Sequence, residues 1–189
     1  KLQGIYRNSQ QLRDLISELL DFKKQEHKQG KLCVEETQWS AFVKTICSLF
    51  KEYANAKDIS LTINATTDTM VWIDQKQMKK VVNNLIANAL KYTPQGGTIV
   101  VTTQTTATDA LLQVADSGKG IASADLEHVF DCFYQVKEFE SLTEIGTGIG
   151  LNLTQTIVQQ HHGTIHVTSE INKGTTFIVA IPLGKDHFN

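Results

Sequence analysis

The sequence predicts an α+β fold, a two-layer sandwich in which helices cover one face of a mixed sheet. Three observations point to it. Apolar residues recur at helical spacing over residues 74–92, runs with strand-like alternation crowd the second half of the chain, and several of these runs follow one another directly, as hairpins do. With 41% hydrophobic residues in 189, the chain has enough apolar surface for a core and fits one good-sized domain plus a small attachment.

In chain order, residues 2–28 lack proline, and Gly4 is their only glycine. Ile5, Leu12 and Leu19 recur every seven residues, with Leu15 and Phe22 following the later two by three. This is the a/d seam of a helix that needs a partner helix, with Asn8 interrupting it. Gly30 ends the helix. A strand is expected around 31–37, then an amphipathic helix over 38–57 through Phe42, Ile46, Leu49, Phe50 and Tyr53. Ile59, Leu61 and Ile63 alternate as a strand, and a second short one spans 70–73. The helix of 74–92 carries Met78, Val81, Val82, Leu85, Ile86 and Ala89, and Pro94 with Gly96-Gly97 stops it. Strands follow at 98–106 and 110–116, then an irregular glycine-punctuated stretch from 118 to 147 with a short helix near 123–130. A helix over 149–161 and strands at 164–169 and 175–182 complete the chain.

A formal net charge of −2 gives no whole-chain attraction to nucleic acid or to an anionic membrane surface. The lysines that cluster locally (Lys23, Lys24, Lys28, Lys31; Lys76, Lys79, Lys80) read as solvated helix faces. Cys33, Cys47 and Cys132 are too few and too scattered for a disulfide framework or a zinc site, and suit a reducing compartment. No stretch approaches the roughly 20 apolar residues of a membrane span.

Three features carry chemistry. Asn84 and Asn88 lie four apart on one face of the 74–92 helix, with Lys91 three further on. Asparagine is a poor helix-interior residue, so two on one stripe call for a reason. The spacing fits a solvent-exposed polar face; it also fits amide oxygens meeting a hard cation, with Lys91 reaching a phosphate. Second, Asp116-Ser117-Gly118-Lys119-Gly120 follows an apolar strand. A hairpin turn would look similar, but a strand-end carboxylate beside a tight glycine turn can also accept a hydrogen bond from the adenine amine, and guanine offers an acceptor there instead. Third, Gly146-Thr147-Gly148-Ile149-Gly150-Leu151 opens a helix, where free backbone amides and the helix dipole attract an anion. It matches neither a Walker loop nor a dinucleotide fingerprint.

In this order the three resemble the N box and the two glycine boxes of the GHKL ATP-binding superfamily. Phe130-Asp131-Cys132-Phe133-Tyr134-Gln135 looks like the F box of sensor histidine kinases, and Asn84 to Thr93 is similar to the kinase form of the N box. Gly174-Thr175-Thr176-Phe177 through Ile181-Pro182-Leu183 fits the family's last strand. The resemblance runs from about 31 to 183, and residues 1–30 look like the second helix of a dimerization and phosphoacceptor hairpin, most similar to hybrid two-component sensors of the Bacteroides type.

The resemblance implies a Bergerat-type ATP-binding fold over residues 31–185, with an ATP lid at 118–147. It implies that ATP and Mg²⁺ bind, with Asn88 holding the metal and Asn84 beside it. Lys91 would contact phosphate and Tyr92 adenine; Asp116 would anchor adenine in a pocket shaped by Gly118 and Gly120. Gly146, Thr147, Gly148, Ile149, Gly150 and Leu151 would line the phosphates, with Phe133 of the F box in the lid and Thr175 supporting the adenine side. The implied activity is transfer of the γ-phosphate to a histidine, with Asn84, Asn88 and Lys91 as the catalytic set. The implied partners are a phosphoacceptor helix of the parent chain or its dimer mate and a response-regulator receiver domain, in a homodimeric parent. The implied setting is the cytoplasmic side of an inner-membrane sensor.

The chain departs from the pattern in four places. Lys80 stands where relatives that hydrolyse ATP carry a glutamate base, which favours transfer over hydrolysis. None of the six histidines begins a His-Glu-x-x-x-Pro acceptor pattern, so the acceptor helix is expected before residue 1, and each histidine reads as an ordinary surface or turn residue. Cys132 replaces a frequent F-box arginine and is expected to be a buried neutral thiol. His162 replaces a glycine in a His-Gly-Gly turn, with a structural effect only. Two other readings are a docking module that binds nucleotide without transferring phosphate, and a conformational ATPase of the gyrase or chaperone type.

Overall fold

The computed structural model describes residues 32–65, 69–136 and 147–188. The heptad seam of residues 1–30 and Gly146 lie outside the described residues. Within them the strands and helices fall close to the expected places. β1 (Glu35–Gln38) leads into α1 (Trp39–Ser48) and α2 (Lys51–Ala56), followed by β2 (Ser60–Ala65), β3 (Met70–Ile73) and α3 (Gln75–Tyr92). Then come β4 (Thr98–Thr105), β5 (Asp109–Asp116), α4 (Ser123–Leu126), α5 (Gly150–Gln160), β6 (Thr164–Glu170) and β7 (Gly174–Pro182).

The expected single helix over 38–57 is two helices. The hydroxyls of Thr45 and Ser48 donate to the carbonyls of Ala41 and Thr45. α1 ends at Ser48, where Leu49 N and Phe50 N turn to the carbonyls of Ile46 and Cys47, three residues back. The short helix expected over 123–130 closes only one turn, at Ser123–Leu126.

The main sheet runs β2-β4-β5-β7-β6, with β2 parallel to β4 and every other neighbouring pair antiparallel; β1 and β3 form a separate antiparallel pair. Alternation decides which face the helices cover. Ala110, Leu112 and Val114 of β5 stand opposite Ile181, Val179 and Phe177 of β7, and all six are buried. Continuing that alternation by two residues places Asp116 and Thr175, which also pair in register, at the end of the helix-covered face.

α3 starts at Asp74, whose carboxylate accepts from the Gln77 amide, and stops where Thr93, extended ahead of Pro94, leaves the helical region. It buries Met78, Val81, Val82, Leu85, Ile86, Ala89 and Leu90. Each fully buried large aliphatic side chain contributes about 1.5–3 kcal/mol, whereas an asparagine costs a helix roughly 0.7 kcal/mol. Burial therefore holds α3 in place, and the polar stripe is free to serve another purpose.

His161 corrects the reading of every histidine as a surface or turn residue. It is fully buried at the end of α5; Nδ1–H donates to the Ile157 carbonyl at 2.7 Å, and Nε2 accepts from the Asp74 amide at 3.0 Å. The side chain ties the end of α5 to the start of α3. His161→Phe keeps the bulk and the edge contact with Phe188 but strands the Asp74 N–H. The expected cost is about 2 kcal/mol, seen as a lower urea midpoint; an unchanged midpoint would show that the tie contributes nothing to stability. His162 adopts φ +56°, a left-handed conformation natural to the glycine it replaces.

Candidate functional site

Both glycine-rich loops meet the same helix. Asn84 lies against Gly150 at the start of α5: a Cβ at Gly150 would stand 2.5 Å from Asn84 Oδ1. Two turns further along α3, the Tyr92 carbonyl accepts from Lys119 N at 3.3 Å, and a Cβ at Gly118 would stand 2.6 Å from that carbonyl oxygen. Asn88 sits midway on the same stripe. Eight residues at 1.5 Å each separate the two contacts by about 12 Å. The second glycine box thus meets this stretch of helix at one end and the first at the other, with an asparagine between them. Asn88 is half-buried, and its amide makes no hydrogen bond among the described residues. Lys91 Nζ lies over the Tyr92 ring, 4.9 Å from its centre, at the Asp116 end.

Asp116 is half-buried, and Oδ1 takes both of its bonds, from Gly118 N at 2.8 Å and Thr175 N at 3.3 Å. Oδ2 has no hydrogen-bond partner among the described residues. Burial pushes the carboxyl above its ordinary value of 3.8, and the two backbone N–H groups pull it part of the way back. Thr175 thus acts through its backbone amide on Asp116, while its hydroxyl pairs with Ser169 Oγ at 2.9 Å. Gly120 has φ +70°, and a Cβ there would stand 2.0 Å from the Glu170 carbonyl, so the first box closes tightly onto the β6–β7 turn.

At the other end, Thr147 Oγ1 accepts from Ile149 N at 3.1 Å, Ile149 is buried, and Leu151 packs partly buried against the core. Gly148 touches the F box: its carbonyl accepts from Phe133 N at 2.9 Å. Phe133 has φ +66° and a ring 63% exposed, an unfavourable backbone for a bulky residue and a ring that covers nothing in the core. Phe130 is held by Asn152, which donates to its carbonyl, and by an edge contact with Phe177. Tyr134 donates to Asp125. Cys132 is partly exposed, which corrects the expectation of a buried thiol. The buried thiol is Cys47, pushed up to about 12 by burial and so unreactive near neutral pH. Iodoacetamide at pH 8 is expected to label Cys33 in the folded chain and spare Cys47; labelling of Cys47 before unfolding, read by mass spectrometry, would contradict this.

The structure thus brings together Asn84, Asn88, Lys91, Tyr92, Asp116, Gly118, Gly120, Gly148, Gly150 and Thr175 around one helix. Lys80, one turn before Asn84, is half-buried. Three supporting residues escaped the sequence reading. Thr154 accepts from the Asn84 amide at 2.9 Å, Ser169 Oγ accepts from Ile121 N at 2.8 Å, and His161 anchors the helix start. Each partner lies 48 to 87 residues away, so no local pattern marks them.

The donor set fits a nucleotide with a hard cation. An unpartnered neutral amide suits a metal already bound by phosphates, and a carboxylate with one oxygen left over suits an exocyclic amine. Comparison with known proteins agrees. Residues 73–185 match the family model described as histidine kinase-, DNA gyrase B- and HSP90-like ATPase. The chain is 34% identical over 191 residues to a histidine kinase, P4, of Formosa agariphila, covering 99% of this chain and 14% of that protein. The solved catalytic domain of the histidine kinase ThkA, in a nucleotide-free form, superimposes with a TM-score of 0.70 at 28% identity, over 79% of this chain and 97% of that one. ThkA solved in complex with the response regulator TrrA superimposes at 0.75 with 23% identity, over 95% of this chain and 49% of that one. The chain spans about one seventh of the length of the F. agariphila relative.

Proposed function

The chain belongs to the histidine kinase-, DNA gyrase B- and HSP90-like ATPase family, and on that premise we propose that it binds Mg-ATP along α3 and presents the γ-phosphate to a histidine. The observation that carries the reading is the seating of two glycine-rich loops on one helix about 12 Å apart, with Asn88 between them and Asp116 at the far end. Asp116 Oδ2 accepts from the adenine amine; the Tyr92 ring lies at that end for the base. The loop of 147–149 and the start of α5 face the phosphates with backbone amides, and Lys91 reaches them by leaving the Tyr92 ring. Asn88 is the residue to hold Mg²⁺, which when bound neutralises charge on the triphosphate.

The chain's own part is positioning: it aligns the γ-phosphorus and leaves bond-making to an incoming imidazole. We assign the acceptor histidine to a helix of the parent chain or its dimer mate, and the onward partner to a response-regulator receiver domain, as supported by ThkA solved with its regulator. ATP is the substrate on this reading, and we assign the domain to the cytoplasmic side of a homodimeric membrane sensor. The test is labelling with γ-³²P-ATP. The 189-residue chain alone is expected to stay unlabelled, and the parent protein to carry acid-labile label on a histidine. Steady ATP hydrolysis by the isolated chain, with no label on the parent, would overturn transfer in favour of a conformational ATPase.

A further inference from the structure

Thr154 is 1% exposed, on α5, four residues after Gly150 and so on the same helix face. Its Oγ1 accepts from Asn84 Nδ2 at 2.9 Å, while Asn84 Oδ1 lies against Gly150. The whole Asn84 amide is therefore laid on the α5 face made by Gly150 and Thr154. Leu153, Ile157 and Val158 set α5 on the core, but apolar contacts are non-directional and leave its rotation and slide loosely specified. Directional bonds that tie α5 to α3 include Thr154 with Asn84 and His161 with Asp74. The first lies one turn from the loop that faces the phosphates and one turn along α3 from Asn88.

We propose that Thr154 is a positioning residue for the nucleotide site: its hydroxyl holds Asn84 against Gly150 and so sets the second glycine box relative to Asn88. The inference rests on the ATP-binding reading above. It gives Asn84 and Asn88 different tasks, the first registering two helices and the second meeting the metal and phosphates.

The experiment is calorimetric titration of the chain with ATP and excess Mg²⁺, using Thr154→Val, Thr154→Ser, Asn84→Ala and the Asn84→Ala/Thr154→Val double variant. A circular-dichroism melt fixes an assay temperature at which each is folded, and Thr154→Ala replaces the valine variant if that one melts too low. Loss of the hydroxyl is expected to weaken ATP binding about fivefold, and serine, which keeps it, to restore the affinity to within about twofold of native. The double variant is expected to bind no more weakly than Asn84→Ala alone, the mark of two groups acting through one bond. The free Mg²⁺ needed for half-maximal binding is expected to stay unchanged in both single variants. The inference is overturned if the valine variant binds like the native chain, if the two single losses add, or if Asn84→Ala raises the Mg²⁺ requirement, which would make Asn84 a metal ligand. A native chain that binds no ATP would overturn the function and this inference together; native binding alongside an unaffected valine variant would overturn the inference alone.

Discussion

Asp116→Asn is expected to weaken ATP binding about 100-fold while leaving the fold intact. The carboxylate presents one oxygen to the amides of Gly118 and Thr175 and keeps the other for the base. Asparagine must turn its own oxygen toward those two N–H groups, so its NH₂ then faces the adenine amine, donor against donor. Losing a charge-assisted bond costs roughly 1.5–3 kcal/mol, which is 10- to 150-fold in affinity. Stability moves the other way. Burial raises the Asp116 pKa, so the folded chain holds that proton more tightly than the unfolded one. Ionised Asp116 therefore costs stability, a cost that appears as pH climbs from the ordinary value of 3.8 through the raised one. At neutral pH the asparagine variant is expected to melt no lower than the native chain. The native affinity for ATP should fall as pH drops through the raised value, and the variant should lack that acid limb. Calorimetric titration across pH, with a thermal melt at each point, checks both.

Asn88→Ala is the second large effect, and it should depend on the metal. The amide stands half-buried midway between the two glycine boxes and satisfies no partner among the described residues, so its removal strands nothing and costs the fold little. What it removes is an amide on the stripe with both its oxygen and its nitrogen left free among the described residues to meet a metal bound by phosphates. ATP affinity in saturating Mg²⁺ is expected to fall about 30-fold, in the range of a hydrogen bond or ligand bond to a charged group. Affinity in EDTA is expected to change little. A variant weakened equally with and without Mg²⁺ would assign Asn88 to the base or sugar instead. Asn88→Asp adds a negative charge facing a triphosphate and is expected to be worse than alanine.

The two variants probe opposite ends of a site whose parts differed in how far the sequence disclosed them. Asn84 and Asn88 shared a face by helical spacing alone, and α3 is a helix with that stripe. Asp116 and Thr175 were legible as a strand-end carboxylate and a strand residue. Their pairing in register, which puts both on the helix-covered face, depends on β5 lying beside β7, a neighbour relation that no local pattern encodes. The ties that hold α5 to α3 and the first glycine loop to β6 are the part that was hidden. Thr154, Ser169 and His161 each look ordinary in sequence, and their significance comes from partners 70, 48 and 87 residues away. The break between α1 and α2 was hidden because the apolar period runs on through it, while the backbone bonds at Leu49 and Phe50 tighten to carbonyls three residues back. Cys132, expected to be buried, is partly exposed because it sits on an irregular loop and not on a core-facing strand or helix.

The central claim is that one helix and two glycine loops form an adenine-selective Mg-nucleotide site. The most direct measurement is calorimetric titration of the native chain with ATP and, separately, GTP, each in excess Mg²⁺. The account predicts one-to-one binding of ATP, with GTP weaker by at least about tenfold because its carbonyl meets the Asp116 carboxylate. Equal binding of the two nucleotides, or no binding of ATP, would contradict it.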